Sequence, residues 1–280
     1  MARIAHRDRR FPSIAVCLAS LAALAGCRFT LVEDLYVLDG MEACEKMSLE
    51  QLAQKARGYD HGTDSFELKC ALSALRDAQP APIHRTSLPA RICYLLADRT
   101  PAPTSRERLA AEGVRWAEIA LEETREEGPV RYFLAANLGL AVYDHTALAI
   151  KNLKRISKEL ERAIELSPGV DQGGPLRVMG MLLLMAPPWP RGIGDGERAC
   201  ELLERAVREY PLHPLNHIFY AQALWEVEEE EAEDEVKEHM RRGLELLDQG
   251  RWGDAKQRWT KLLQELAKEA NANVLPPPGS

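Results

Sequence analysis

Three stretches of the chain carry residue types that could do chemistry. The glycine-rich GIGDG at 192–196 lacks the lysine followed by serine or threonine that completes a phosphate-binding loop, so we expect Asp195 to cap a helix instead. His213 and His217 have the spacing of metal ligands on a helix, but no glutamate lies between them and no third ligand is evident. We therefore interpret them as one surface histidine and one interhelical histidine.

The third stretch is the acidic run EVEEEEAEDE at 226–235. It lacks the alternating ligands and the glycine of a calcium-binding loop, so it indicates a solvated helix connection. The chain contains no nucleophile elbow and no supported Cys/His pair. The sequence therefore gives no reason to assign an enzymatic activity, a metal site or a cofactor.

An apolar helix that ends in a proline-rich knot is the strongest candidate binding feature. The stretch MGMLLLMAPPWP at 179–190 contains more consecutive apolar residues than one stripe of a surface helix can bury. Either this helix is buried on all sides, or its methionines and the tryptophan line an apolar cleft for a small ligand. The candidate ligand-binding residues are Met181, Leu184, Met185 and Trp189.

The elements that must position these residues are helices. Apolar residues make up 46% of the chain, and alanine, leucine, glutamate and arginine dominate, a mixture that favours helices. Segments rich in β-branched residues are few, so strands have little support. We predict an all-α fold.

A repeat predicts how the helices are arranged. The segments ISKELERAIELSP at 156–168 and ACELLERAVREYP at 199–211 share five identities at an offset of 43 residues. Both segments have small and large apolar residues at fixed positions and then a proline. This pattern resembles the second helix of a tetratricopeptide repeat. We expect Leu138-Gly139 and Tyr220-Ala221 to be the positions of close contact on the matching first helices. The prediction is a short tetratricopeptide-like α-solenoid of antiparallel helix pairs.

The N-terminus has the features of an export signal. Four arginines precede an apolar run that is too short to span a bilayer, and the run ends in LAGC at Cys27. This pattern resembles the lipobox of bacterial lipoproteins, which implies cleavage after residue 26 and acylation of Cys27. The alternative is a plain secretory signal. Arg28 after the cysteine favours the outer membrane, so we expect a lipid-anchored, periplasm-facing protein in the cell envelope.

Charge excludes one class of partner. Residues 1–26 contain four of the 36 basic residues and one of the 43 acidic residues, so the mature chain has 32 against 42 and a net charge of −10. A protein of this charge lacks the basic footprint that nucleic acids require. It also lacks the basic surface that binds anionic lipid, so membrane attachment is expected through the lipid anchor only.

Four cysteines remain besides Cys17 and the anchor, namely Cys44, Cys70, Cys93 and Cys200. An exported protein lies in a compartment that permits disulfides, and four cysteines allow three pairings. We expect Cys70 to pair with Cys93 if a disulfide forms, because they lie on predicted neighbouring helices. The alternative is that all four are buried free thiols.

These features divide the chain into a signal peptide at 1–26, a tether at 27–40, a helical domain at 41–270 and a disordered tail at 271–280. The combination of lipobox, repeats and the 173–195 segment resembles the T-component lipoproteins associated with TRAP (tripartite ATP-independent periplasmic) transporters. The resemblance is closest over 131–226. It implies a homotrimer, a periplasmic solute-binding protein as partner, and a small apolar ligand.

A second hypothesis belongs to another functional class. A generic tetratricopeptide scaffold in the cell envelope would mediate protein–protein interactions by gripping peptides in its concave groove. The scaffold predicts a polar groove that is open to solvent. The transport accessory predicts a closed apolar tunnel near Met185 and Trp189.

Overall fold

The computed structural model describes residues 35–45, 47–78, 80–123 and 127–270, apart from the side chains of residues 229 and 230. The predictions for the signal peptide, for Cys27, for the tether up to residue 34 and for the tail at 271–280 lie outside these residues. Within the described ranges no helix has the combination of length and apolarity that crossing a bilayer requires.

The described chain is all-α, as predicted. Its helices are α1 (Leu49–Ala56), α2 (Ser65–Asp77), α3 (Leu88–Asp98), α4 (Pro103–Leu121), α5 (Glu127–Val142), α6 (Thr146–Leu166), α7 (Gly174–Met185), α8 (Gly196–Glu209), α9 (Pro214–Val227), α10 (Glu233–Gln249) and α11 (Ala255–Glu269). Three short 3₁₀ helices accompany them, at Met41–Ala43, Pro82–Arg85 and Glu229–Ala232.

Side-chain caps fix where several helices begin. Ser48 and Gln51 form a reciprocal capping box at the start of α1, with N···O distances of 3.2 and 2.9 Å. Asp64 accepts two backbone N–H bonds at the start of α2. Asp195 accepts the Arg198 N–H at 3.1 Å, which confirms that GIGDG ends in a helix cap.

The helices stack as consecutive pairs, α3–α4, α5–α6, α7–α8 and α9–α10, and each pair packs on the next. The repeated small residues lie in the interfaces: Ala163 and Ala206 are both fully buried. A Cβ on Gly243 would lie 2.8 Å from Ile218, so α9 and α10 also approach closely at a small residue. Leu138 is buried, but Gly139 has no neighbour within 4 Å of a Cβ position, so close contact at Gly139 was a wrong expectation.

The predicted disulfide between Cys70 and Cys93 was wrong. Cys70 on α2 is bonded to Cys44, just after the first 3₁₀ helix, with a Cα–Cα distance of 5.6 Å. Cys93 faces the core with no exposed area, and burial raises the pKa of its thiol well above the usual value. Helix adjacency favoured Cys93, but the irregular segment that carries Cys44 has no periodicity from which its position could be inferred.

The C-terminal helix returns to the N-terminal half of the domain. Arg258 on α11 donates to the Asp98 carboxylate at 2.8 Å and to the Asp98 carbonyl at 2.7 Å. The loop at 58–64 also reaches Asp98, since His61 Nδ1 lies 3.7 Å from Asp98 Oδ2. These contacts bring residues from distant parts of the sequence to one side of α3.

Candidate functional site

The four predicted ligand-binding residues divide into two groups. Met181 and Leu184 are partly buried and pack against the core cluster formed by α8 to α11; Leu184 also touches the main core. Met185 and Trp189 project into solvent, with 71% and 85% of their surface exposed. Met185 and Trp189 lie open to solvent and do not line a closed tunnel, which differs from the expectation for a transport accessory. Leu184 contacts both core clusters, whereas Met181 packs against one of them.

Backbone hydrogen bonds join the two ends of the segment that carries Trp189. We call residues 186–195 the lip. Gly194 N–H donates to the Pro187 carbonyl at 2.9 Å, and Asp195 N–H donates to the Leu183 carbonyl at 3.0 Å. A Cβ on Gly194 would lie 2.1 Å from the Ala186 carbonyl oxygen, so glycine permits this approach. The Trp189–Pro190 bond is cis. Trp189 therefore lies at the exposed end of a loop whose two ends are joined by hydrogen bonds.

Four clefts of 260–340 Å³ lie elsewhere, and none of them is lined by the four predicted residues. They involve residues of the N-terminal half and Arg251. An apolar ligand at Met181, Leu184, Met185 and Trp189 stays a prediction.

The structure also contains a buried polar cluster that the sequence analysis did not find. We use that name for His61, Asp171, Arg177, His213 and Asn216. They come from the α1–α2 loop, the α6–α7 loop, α7, the residue before α9, and α9. All except Asp171, whose side chain is 16% exposed, have at most 5% of their surface exposed. Such a concentration of buried polar groups requires partners.

The α6–α7 loop holds Asp171 in an unusual backbone conformation. Asp171 and Gln172 have φ of 51° and 49°, and Gly173 follows at 85°. Two successive non-glycine residues in this left-handed region are rare, and they persist only where surrounding contacts impose them. Arg177 provides such contacts, because it donates to the carbonyls of Asp171 and Gln172 at 3.2 and 3.3 Å.

The Asp171 carboxylate is strongly stabilised as an anion. Its Oδ2 accepts from Arg177 at 2.7 Å and from the Tyr132 hydroxyl at 2.8 Å. Burial alone would raise the pKa of Asp171, but the Arg177 guanidinium and then His61 hold it far below its usual range. The loop therefore presents a fixed negative charge to the cluster.

Asn216 links the same loop to α9. Its Oδ1 accepts from Arg177 at 2.7 Å, and its Nδ2 group faces the carbonyls of Gln172 and Tyr210 at 3.0 and 2.7 Å. The side chain is fully buried. These bonds couple the orientation of Arg177 to the first turn of α9.

His61 lies between two carboxylates. Its Nε2 is 3.7 Å from Asp171 Oδ2, and its Nδ1 is 3.7 Å from Asp98 Oδ2. Neither nitrogen has a hydrogen-bond partner, although only 3% of the residue is exposed. The ring packs edge-on to Trp259, with centroids 5.0 Å apart. His61 is thus held by packing rather than by hydrogen bonds.

His213 is buried, with 2% of its surface exposed, so neither histidine of HPLNH is a surface residue. The Leu215 N–H donates to His213 Nδ1 at 3.3 Å as a helix cap, while Nε2 has no partner. Burial, reinforced by Arg177, lowers the pKa of His213 well below the usual value, so the ring is neutral. His217 instead faces His239, with Nδ1 atoms 3.0 Å apart.

The sequence offers little signal for this cluster. Its members lie far apart along the chain, and His61 belongs to no motif. The available hint was DQGG at 171–174, where glycines before an apolar helix indicate an unusual turn. Convergence depends on the stacking of the pairs, which no local pattern specifies.

The fold defines the class as an all-α helical-repeat protein of stacked helix pairs. No family model matches the chain, and no curated protein is significantly similar to it.

Proposed function

We propose that this protein is an outer-membrane lipoprotein, acylated at Cys27, that serves as an accessory component of a TRAP-type transport system. It binds a periplasmic solute-binding protein and assists the passage of a small apolar solute. The proposal rests on the resemblance to the T-component lipoproteins and on one structural observation, the exposed apolar lip.

The lip suits recognition of a protein partner. Trp189 and Met185 are the two most exposed large apolar side chains among the described residues, at 85% and 71%. Tryptophan is enriched among the residues that dominate binding energy at protein interfaces. The backbone hydrogen bonds across the lip restrict its conformation before a partner binds. This restriction lowers the entropic cost of binding. We therefore assign the contact with the solute-binding protein to Met185 and Trp189.

The disulfide supports an exported location. Disulfides persist in oxidising compartments such as the bacterial periplasm and are rare in the cytosol. The Cys44–Cys70 bond joins an irregular segment to α2. This bond agrees with a periplasm-facing domain behind a lipid anchor.

The generic scaffold hypothesis gains less support. That function needs a groove open to solvent along the first helices of successive pairs. In this chain Tyr132 of α5 is buried and donates to Asp171 of the buried polar cluster. His61 of the same cluster packs edge-on to Tyr94 of α3, which is partly buried. The buried polar cluster occupies the space beside these helices. A peptide would have to displace it.

Affinity purification from native membranes tests the proposal. We expect the full chain to recover a periplasmic solute-binding protein, identified by mass spectrometry. Trp189→Ala should reduce its yield by at least tenfold, because loss of a central tryptophan typically costs 2 kcal/mol or more. Tyr143→Ala is the matched control, since Tyr143 is an aromatic side chain that is 68% exposed elsewhere. Recovery of no solute-binding protein, or equal losses in both variants, would contradict the proposal.

A further inference from the structure

We propose that His61, Asp171 and His213 bind a divalent transition metal ion of the zinc type. One ligand atom from each of the three residues lies within 4.8 Å of the other two. Two imidazoles and one carboxylate form a donor set that zinc accepts, with a fourth position for water. This site is separate from the lip.

Unpartnered nitrogens point to a ligand at this place. His61 Nε2 and His213 Nε2 are buried and have no hydrogen-bond partner. Buried polar atoms in folded proteins are nearly always paired, and an orphaned one indicates a bound ion or water. Two such nitrogens beside one carboxylate favour a cation, because imidazole nitrogen and carboxylate oxygen both donate electron pairs to it.

The surrounding groups orient the three ligands. His61 presents Nε2 toward Asp171 and Nδ1 toward Asp98, each at 3.7 Å. With the ion on Nε2, a shift of Asp98 to hydrogen-bond distance of Nδ1 would complete the carboxylate–histidine–metal arrangement. Arg258 holds Asp98 in turn at 2.8 Å. Tyr132 and Arg177 both donate to Asp171 Oδ2, and these two bonds fix the orientation of the carboxylate.

To bind the ion, the three ligand atoms must move closer together and the ring proton of His213 must move from one nitrogen to the other. Tetrahedral zinc places its ligand atoms about 3.4 Å apart, so ligand atoms up to 4.8 Å apart must approach by as much as about 1.4 Å. Coordination through His213 Nε2 puts the ring proton on Nδ1 and gives up the 3.3 Å bond from Leu215. Arg177 also repels the ion, whereas Asp171 and Asp98 attract it.

Cobalt(II) provides the probe. The full chain, purified without an affinity tag and stripped of metal, is titrated with Co²⁺ and then with competing Zn²⁺. We expect one equivalent of Co²⁺ to produce the visible absorption of tetrahedral coordination, and Zn²⁺ to abolish it. A wild-type protein that shows no such absorption would overturn the proposal, whatever the variants do.

Variants locate the site. Asp171→Asn and His213→Gln should each eliminate the cobalt absorption, and Asp98→Asn should weaken the affinity by about 10–100-fold. His145→Gln and His239→Gln are controls that should retain the absorption, because these histidines lie outside the cluster. Thermal unfolding gives a second readout: Zn²⁺ should raise the midpoint of wild type but not of His213→Gln. Equal absorption in wild type and His213→Gln would overturn the assignment.

Discussion

Arg177 is the central residue of the buried polar cluster. Its guanidinium contacts the Asp171 carboxylate, the Asn216 side chain and two loop carbonyls, while 2% of the residue is exposed. Removing one partner of a buried ion pair leaves an uncompensated charge in a medium that solvates it poorly. The unusual backbone at Asp171 and Gln172 depends on these contacts as well.

We expect Arg177→Met to lower the free energy of unfolding by about 3–5 kcal/mol, because it leaves Asp171 buried without its guanidinium. Arg155→Met is the control, since Arg155 pairs with Glu118 on the surface and such pairs contribute at most about 1 kcal/mol. Urea denaturation measures both. Losses of similar size in the two variants would mean that the cluster does not stabilise the fold.

The His217–His239 pair predicts a dependence of stability on pH. Burial lowers the pKa of both histidines in the folded protein. In the unfolded chain the pKa of a histidine is about 6.5. Below that pH the unfolded chain therefore binds more protons than the folded chain. We expect stability to fall as the pH drops from about 6.5 toward the lower folded values. The double variant His217→Gln, His239→Gln should show a shallower decline in urea midpoints, whereas His145→Gln should match wild type.

At the scale of elements, local patterns predicted the helices well. Ser48, Asp64 and Asp195 begin helices as their types and spacing indicate. The repeated Ala163 and Ala206 lie in helix interfaces, because only a small side chain allows that approach. Gly139 shows where prediction from local patterns fails. The sequence shows that a glycine lies on a helix, but whether a neighbouring helix packs against it depends on the tertiary structure.

The disulfide belongs to the same scale and has a direct test. Peptide mapping of unreduced protein should find Cys44 linked to Cys70, with Cys93 and Cys200 as free thiols. Cys44→Ser and Cys70→Ser should each lower the unfolding free energy by about 3–4 kcal/mol, because the bond closes a loop in the unfolded chain. Cys200→Ser is the control. A Cys70–Cys93 peptide, or a small effect of both serine variants, would refute the assignment.

For the whole molecule, the sequence predicted the class of fold and located the lip, but not the polar cluster. An amphipathic pattern records which face of a helix is buried, so a stack of pairs follows from it. Which loops meet across the stack depends on the accumulated geometry of several pairs. His61 and His213 converge for that reason, and no motif connects them.

The lip and the buried polar cluster have separate roles in the proposals. The lip exposes Trp189, which we propose contacts a partner, while the buried polar cluster joins the α1–α2 loop, the α6–α7 loop and α9. The proposed metal ion would stabilise that junction without touching the lip. Loss of metal binding should therefore leave partner recovery unchanged, and Trp189→Ala should leave the cobalt absorption unchanged.

Site-specific photo-crosslinking tests the central claim most directly. A photoreactive phenylalanine analogue replaces Trp189 in one protein and Tyr143 in another, and each is expressed as the full chain. The account predicts that the probe at 189 forms an adduct with a periplasmic solute-binding protein, and that the probe at 143 does not. Adducts of equal yield at both positions, or no solute-binding protein at 189, would contradict it.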